Sequence, residues 1–190
     1  MAKGMMQTMA LLIALGVVAT STAAEERCYR ADADSGELEF SGVADGSGFQ
    51  GDFNEFTVSL CLENDDLSTA VIEVTVATGS ATVGNRQGDE ALHSDELFHV
   101  ERFPEAVWTS TSIHTENGEH RAEGELRLRG VEASQPVELS FDWHDDGLKL
   151  SGGAEILRME YDVGQGEFED TDFVRDRVDL SFELDLSPAD

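Results

Sequence analysis

Between Gly124 and Trp143 the chain reads G-E-L-R-L-R-G-V-E-A-S-Q-P-V-E-L-S-F-D-W. Leu126 and Leu128 alternate with Glu125, Arg127 and Arg129, while Val137, Leu139, Phe141 and Trp143 alternate with Glu138, Ser140 and Asp142. A period of two on either side of Gly130–Pro136 predicts two half-buried strands of a β-hairpin. The interval reads as the connection, because Gly130 opens it and Pro136 has no N–H to give a ladder. One face of this hairpin is wholly apolar and the other charged or hydroxylated, so it covers a dry interior and faces water outside.

The same alternation recurs along most of the chain. Leu38 and Phe40 share a face in Glu37–Val43, Asp45-Gly46-Ser47-Gly48 reads as a turn, and Phe56, Val58, Leu60 and Leu62 share a face in Phe53–Leu62. Asn64-Asp65-Asp66 breaks the pattern before Ile72, Val74 and Val76 resume it. Thr78–Gly88 is a polar connection, and Asp89–His99 loses the period. With Asp89 as a cap and Leu92, Leu97 and Phe98 apolar, that segment predicts one or two helical turns ahead of Phe103-Pro104. Val107–Ile113 and His120–Arg129 flank an Asn117-Gly118 hairpin turn. Leu148–Tyr161, a loop at Gly164–Asp172 and a last strand at Val178–Leu186 complete the pass.

About eight sequential strands with one short helix predict an all-β antiparallel barrel. The last strand has a continuous apolar face and no helix to cover it, so pairing with the first strand removes both edges. A barrel of this size encloses a space that is either filled by side chains or holds one small ligand.

The first residues have a different character. Lys3, the ten apolar residues Met9–Val18 and the small residues Ala19–Ala24 match a secretory signal peptide cleaved near Ala24. Ten residues fall well short of the roughly 18 or more that a membrane span needs. The expected organisation is therefore a signal at residues 1–24 and one β-barrel domain at 25–190, exported to the periplasm and not integral to the membrane. Of the 190 residues 40 are acidic and 12 basic, a formal net charge of −28. Loss of Lys3 with the signal makes it −28 − 1 = −29. Such a field repels polyanions and excludes nucleic acid as a partner. It also suits a saline compartment, where self-repulsion is screened.

Candidate chemistry is sparse. Cys28 and Cys61 are the two cysteines. If the first hairpin turns at Asp45–Gly48, positions whose numbers sum to about 90 face each other, which favours a Cys28–Cys61 bridge over two buried thiols in an oxidising compartment. His93, His99, His114, His120 and His144 lie in no catalytic or zinc-binding motif. His114 and His120 flank the Asn117-Gly118 turn, where they would supply two ligands and not a complete metal site. No catalytic residue, metal or cofactor is expected.

Four further stretches carry a resemblance: Gly51-x-Phe53-x-x-Phe56; Leu92-x-Ser94-x-x-Leu97-Phe98 with Phe103-Pro104-x-x-x-Trp108-x-Ser110; Gly124-x-Leu126-x-Leu128-x-Gly130-Val131 with Pro136-Val137; and Ile156-x-Arg158-x-Glu160-Tyr161-x-Val163-Gly164. In this order the chain resembles the YceI-like family of exported lipid-binding barrels, although Asp162 stands where that family usually has Gly. The resemblance implies an extended, lipocalin-like eight-stranded barrel whose lumen holds a long isoprenoid lipid, either a polyprenyl lipid or an isoprenoid quinone. It makes Phe40, Phe53, Phe56, Val58, Ile72, Val74, Phe98, Trp108, Leu126, Leu128, Leu139, Phe141, Ile156, Tyr161, Leu180 and Phe182 the candidate lumen wall. Arg158 is then either a head-group ligand or the partner of Glu160. Trp143 stands either at the lumen mouth or in the core. A filled structural or stress-related exported barrel with no bulk ligand is the alternative, and a metal-dependent periplasmic enzyme a second one. Dimerisation stays open.

Overall fold

A computed structural model describes residues 24–145 and 147–189. The proposed signal, apart from Ala24, lies outside the described residues. The chain forms twelve strands in one sheet: β1 Glu26–Asp32, β2 Gly36–Ala44, β3 Ser47–Phe53, β4 Phe56–Glu63, β5 Asp66–Ala77, β6 Ala81–Thr82, β7 Glu105–Glu116, β8 Glu119–Leu128, β9 Val131–Ser134, β10 Val137–His144, β11 Gly147–Leu157 and β12 Arg177–Pro188. Helix α1, Arg86–His93, lies between β6 and β7.

The twelve strands make an eight-stranded antiparallel barrel, because four barrel strands, β1–β2, β3–β4, β5–β6 and β9–β10, are each interrupted once. β1 and β2 follow one another opposite β4 and β3, forming a single long hairpin whose register runs from Glu26↔Glu63 to Ala44↔Ser47. β9 and β10 likewise hold one register against β8. β12 closes the barrel by pairing with β2 and, further down, with β1 at Tyr29↔Pro188. Among the described residues the path β1-β4-β5-β7-β8-β10-β11-β12 closes through β12 pairing with β2 and β1, which covers strand edges that would otherwise template aggregation.

Tight turns set these registers. Asp45-Gly46, Asn64-Asp65, Asn117-Gly118 and Arg129-Gly130 all have φ positive at both residues. That is the mirror-image turn whose twist matches a right-handed hairpin. The turn at Arg129-Gly130 corrects the sequence reading of Gly130–Pro136 as a loop. Leu128 pairs directly with Val131, and strand runs on to Ser134. Even at the Gln135-Pro136 break the ladder persists, since the Gln135 N–H donates to Gly124 O at 2.8 Å. Proline falls one place further on, where no ladder donor is required.

Two other expectations shift. Helix α1 begins at Arg86, not Asp89. Asn85 caps it, its Oδ1 accepting from the Gly88 N–H at 3.0 Å, as a short side chain in extended backbone does well. The Asp89 carboxylate instead accepts from Val83 N and Thr82 Oγ1 at 2.8 and 2.9 Å, tying the helix to β6. Strand β11 ends at Leu157, because Arg158–Tyr161 winds into a 3-10 turn as Arg158 points inward. Asp162 terminates that turn with φ 56°, so here Asp takes the left-handed conformation that glycine adopts more freely.

Candidate functional site

The two ends of the barrel are built differently. Call the end carrying the turns at 64–65 and 117–118 the lower end. Helix α1 and the connections at 78–104 and 158–176 gather at the upper end. In the lower half Leu60, Leu62, Leu148 and Leu186 are 0–2% exposed and pack with Ala70, Ile113 and Ala122. Tyr29 and Trp143 meet edge to face at 5.5 Å at this end, and His120 lies across Phe141 at 5.1 Å.

The upper half is hollow. It encloses a cavity of about 210 Å³, far more than the roughly 30 Å³ that one water occupies. Val58, Ile72, Leu139, Leu150 and Leu184 lie deepest among its lining residues. Its walls are Phe40, Phe53, Phe56, Val74, Trp108, Leu126, Leu128, Ile156, Leu180 and Phe182, and Leu92, Leu97 and Phe98 reach in from the helix side. Phe53, Val74, Phe98, Leu128, Ile156, Leu180 and Phe182 remain only partly buried. Such partial exposure of inward side chains is what an unfilled interior produces. Aromatic rings run along one wall: Phe49 to Phe40 at 6.3 Å, Phe40 to Phe53 at 5.0 Å and Phe53 to Phe98 at 6.0 Å.

Of the sequence-proposed wall residues only Phe141 and Tyr161 fail to line this space. Phe141 belongs to the lower half, where it meets His120. Parity put it on the inward face correctly, but parity carries no information about height along the barrel. Tyr161 is fully buried beside the wall, its hydroxyl donating to Gln135 Oε1 at 3.4 Å. Trp143 is 41% exposed at the lower end and is not at the mouth.

The cavity is also lined by residues outside the proposed wall, among them Leu38, Leu150 and Leu184 and, less expected from the sequence, Phe49, Gln135 and Val174. Phe49 sits in a glycine-rich stretch that reads as turn. Gln135 falls in a stretch whose Gly, Ser and Pro read as a loop, yet it lies on the inward parity of Val131, Ala133 and Val137, which is the signal that points to it. Its side chain is buried and donates to Pro136 O and Glu155 O, both at 3.0 Å, while the Gln135 backbone carbonyl accepts from Trp108 Nε1 at 2.9 Å.

Arg158 does not pair with Glu160; its hydrogen bonds go to the main chain. Its guanidinium is buried and donates to Arg175 O, Val163 O and Val174 O at 3.0, 2.7 and 2.6 Å, pinning the 158–176 connection over the barrel. Burial pulls its pKa below the ordinary guanidinium value, and the nearby Asp176 partly offsets this. Burial likewise raises the Tyr161 phenol, with the charge of Glu160 adding to it. Thr78, the remaining polar residue of the wall, donates to Phe103 O at 2.7 Å. The hydrogen-bonding groups around the cavity are thus engaged with protein.

Cys28 and Cys61 are directly opposed on β1 and β4 and bonded, with Cα atoms 4.1 Å apart. Leu60 and Leu62 point inward, so the bridge lies on the outer face. His114 and His120 do not share a site. His114 faces Arg121 across the hairpin and His120 faces Thr115, which puts the two rings on opposite faces of the sheet. Among the described residues no group of three or more His, Cys, Asp or Glu side chains could hold a metal ion.

A family model described as a YceI-like domain matches residues 29–186, which is nearly the whole barrel. The chain belongs to the YceI-like family. A UPF0312 protein of Shewanella denitrificans is 31% identical over 73% of this chain and 66% of its own length. Protein YceI of Salmonella arizonae is 33% identical over 54% of this chain and 53% of its own length, so the chain spans about two thirds and about half of these relatives respectively. Among solved structures, BcnA of Burkholderia cenocepacia superposes with a TM-score of 0.77 at 19% identity, covering 84% of this chain and 99% of that one. A polyisoprenoid binding domain from Saccharophagus degradans gives a TM-score of 0.65 at 13% identity, covering 84% and 98%. At these identities the two structures speak for the fold alone.

Proposed function

We propose that this YceI-like barrel binds and carries one long-chain isoprenoid lipid, a polyprenyl lipid or an isoprenoid quinone, in the upper lumen and performs no chemistry on it. The observation that carries the reading is the hollow itself, a chamber walled by aliphatic and aromatic side chains whose few polar neighbours are already hydrogen-bonded within the protein. Such a space rejects a ligand that must be solvated along its length and accepts a hydrocarbon chain. The polyisoprenoid-binding neighbour of the same fold supports the choice of an isoprenoid over other apolar chains. Arg158 is not the head-group ligand in this reading, since its guanidinium holds backbone carbonyls. The polar end of the lipid lies outside the chamber.

Export to the periplasm fits the signal-like residues 1–24 and the Cys28–Cys61 bridge, which persists in an oxidising compartment. Organic extraction of protein purified from its own compartment, followed by mass spectrometry, tests the function. The expected result is one co-purifying isoprenoid per chain. Protein that yields no lipid and takes up neither a polyprenol nor a quinone when supplied would reject the reading in favour of a ligand-free barrel.

A further inference from the structure

Four aromatic rings of the lumen wall lie against glycines of the adjoining strand. Phe40 faces Gly51 and Phe49 faces Gly42 across β2 and β3, Phe182 faces Gly152 across β11 and β12, and Trp108 lies over Gly124 of β8. A Cβ at any of these glycines would collide with the ring. At Gly42 it would stand 2.7 and 2.9 Å from Phe49 Cζ and Cε1, and at Gly124 2.6 Å from two atoms of the Trp108 indole. Each ring is therefore laid flat in a gap that a missing side chain leaves in the wall, and does not project across the chamber. Close packing requires some atom to fill that gap, and a ring folded against the wall fills it while leaving the centre open.

We infer that these glycine seats set the bore of the lumen, and that Gly42, through Phe49, determines whether the upper end admits a methyl-branched chain. The inference rests on the carrier reading above and specifies its ligand: an isoprenoid carries a methyl group at regular intervals, so its cross-section exceeds that of a straight alkyl chain. Gly42 is the seat at which this can be tested cleanly. At Gly51, Gly124 and Gly152 a Cβ would also strike a backbone oxygen, respectively of Thr82, Thr109 and Glu138, and would disturb the ladder itself. At Gly42 the three nearest atoms all belong to the Phe49 ring, the far end of a side chain that can swing. The way left open to it is toward the chamber it already lines.

The experiment compares wild type, Gly42→Ala and the double variant Gly42→Ala with Phe49→Ala, each checked for an unchanged cooperative melt. Affinities are measured for a polyprenol and for the saturated straight-chain alcohol of equal carbon number. Gly42→Ala should weaken the polyprenol by about tenfold or more, the scale on which a single methylene is discriminated in an apolar pocket, and weaken the straight chain distinctly less. Removing the Phe49 ring as well should restore the polyprenol. Wild type that binds, with a Gly42→Ala variant whose two affinities are unchanged or fall by the same factor, overturns the selectivity alone. Wild type that takes up neither alcohol overturns the carrier reading and the selectivity with it.

Discussion

The lower and upper halves of the barrel are drawn from the same strands with the same inward alternation, yet one is solid and the other hollow. Below, Ala31, Ala70 and Ala122 let the walls approach, and Leu60, Leu62, Leu148 and Leu186 fill what width remains. Above, aromatic rings stand among the aliphatic inward positions, and those rings turn along the wall. The connections differ in step. Two-residue turns at 64–65 and 117–118 add nothing to cover the lower end and a packed core needs no cover. The upper end is roofed by α1, by Leu97 and Phe98, and by the 158–176 connection that Arg158 holds from beneath. Stability is thus concentrated in one half and ligand capacity in the other, so the two properties can be changed separately.

Equal truncations in the two halves give the sharpest contrast. Leu60→Ala leaves a cavity in a region that cannot collapse onto it and should cost about 2–5 kcal/mol of unfolding free energy. Leu180→Ala removes the same atoms from a wall that already borders open space, so it should cost clearly less. Urea denaturation of both variants decides the matter, and equal losses would mean that the upper half is packed as tightly as the lower.

The disulfide tests the separation from outside the core. Cys28 and Cys61 are 33 residues apart in sequence. Replacing both by Ser should lower stability by about 4 kcal/mol on the chain-entropy estimate. Because the bridge is on the outer face of the lower half, lipid uptake at temperatures where the variant stays folded should not change. A variant of lowered affinity under those conditions would show that the two halves are mechanically coupled.

Adding bulk reverses the logic of truncation. Ala122→Leu inserts atoms where none fit and should cost about 1–3 kcal/mol. Val74→Trp points a larger side chain into the chamber, so its cost should stay below about 1 kcal/mol while lipid uptake is lost. Thermal melts paired with a polyprenol titration separate these outcomes. A Val74→Trp variant as unstable as Ala122→Leu would argue for a filled barrel.

Much of this arrangement could be read from residue order. Alternation gave the strands, the closure of Val178–Leu186 onto the first strand and the inward parity of nearly every wall residue. The sum rule for the first hairpin placed Cys28 opposite Cys61. What parity lacks is height, which is why Phe141 was grouped with the lumen although it lies low in the barrel. It also lacks any sense of a strand continuing through proline, which hid Gln135. Arg158 was opaque for a third reason: its partners are main-chain carbonyls of residues 163, 174 and 175, and a carbonyl leaves no mark in sequence. The hollow itself depends on which way rings turn, and the clue to that was glycine on the facing strand.

The smallest effect expected on the contrast between halves comes from salt, although its effect on the whole protein is large. Like charges face each other directly across the outer surface in both regions: Glu37 opposite Glu183 and Glu155 opposite Asp179 above, Glu26 opposite Glu63 and Glu116 opposite Glu119 below. Each such pair is unfavourable by a few tenths of a kcal/mol to about 1 kcal/mol. Lys149, bonded to Glu183 at 2.6 Å, and Arg177, between Glu155 and Asp179, relieve only part of this, and exposed ion pairs contribute little. Unfolding spreads the same charges apart, so low ionic strength favours the unfolded chain. Raising salt from about 0.1 M to about 1 M shortens the screening length from roughly 10 Å to roughly 3 Å and removes most of that repulsion. The melting temperature should therefore climb steadily over this range. The difference in cost between Leu60→Ala and Leu180→Ala should stay constant, because the repelling pairs are shared by both halves while the packing is not. A flat melting temperature would reduce the acidic surface to a solubility feature. A salt-dependent gap between the two variants would place the charge strain in one half of the barrel and undo the separation between shell and core.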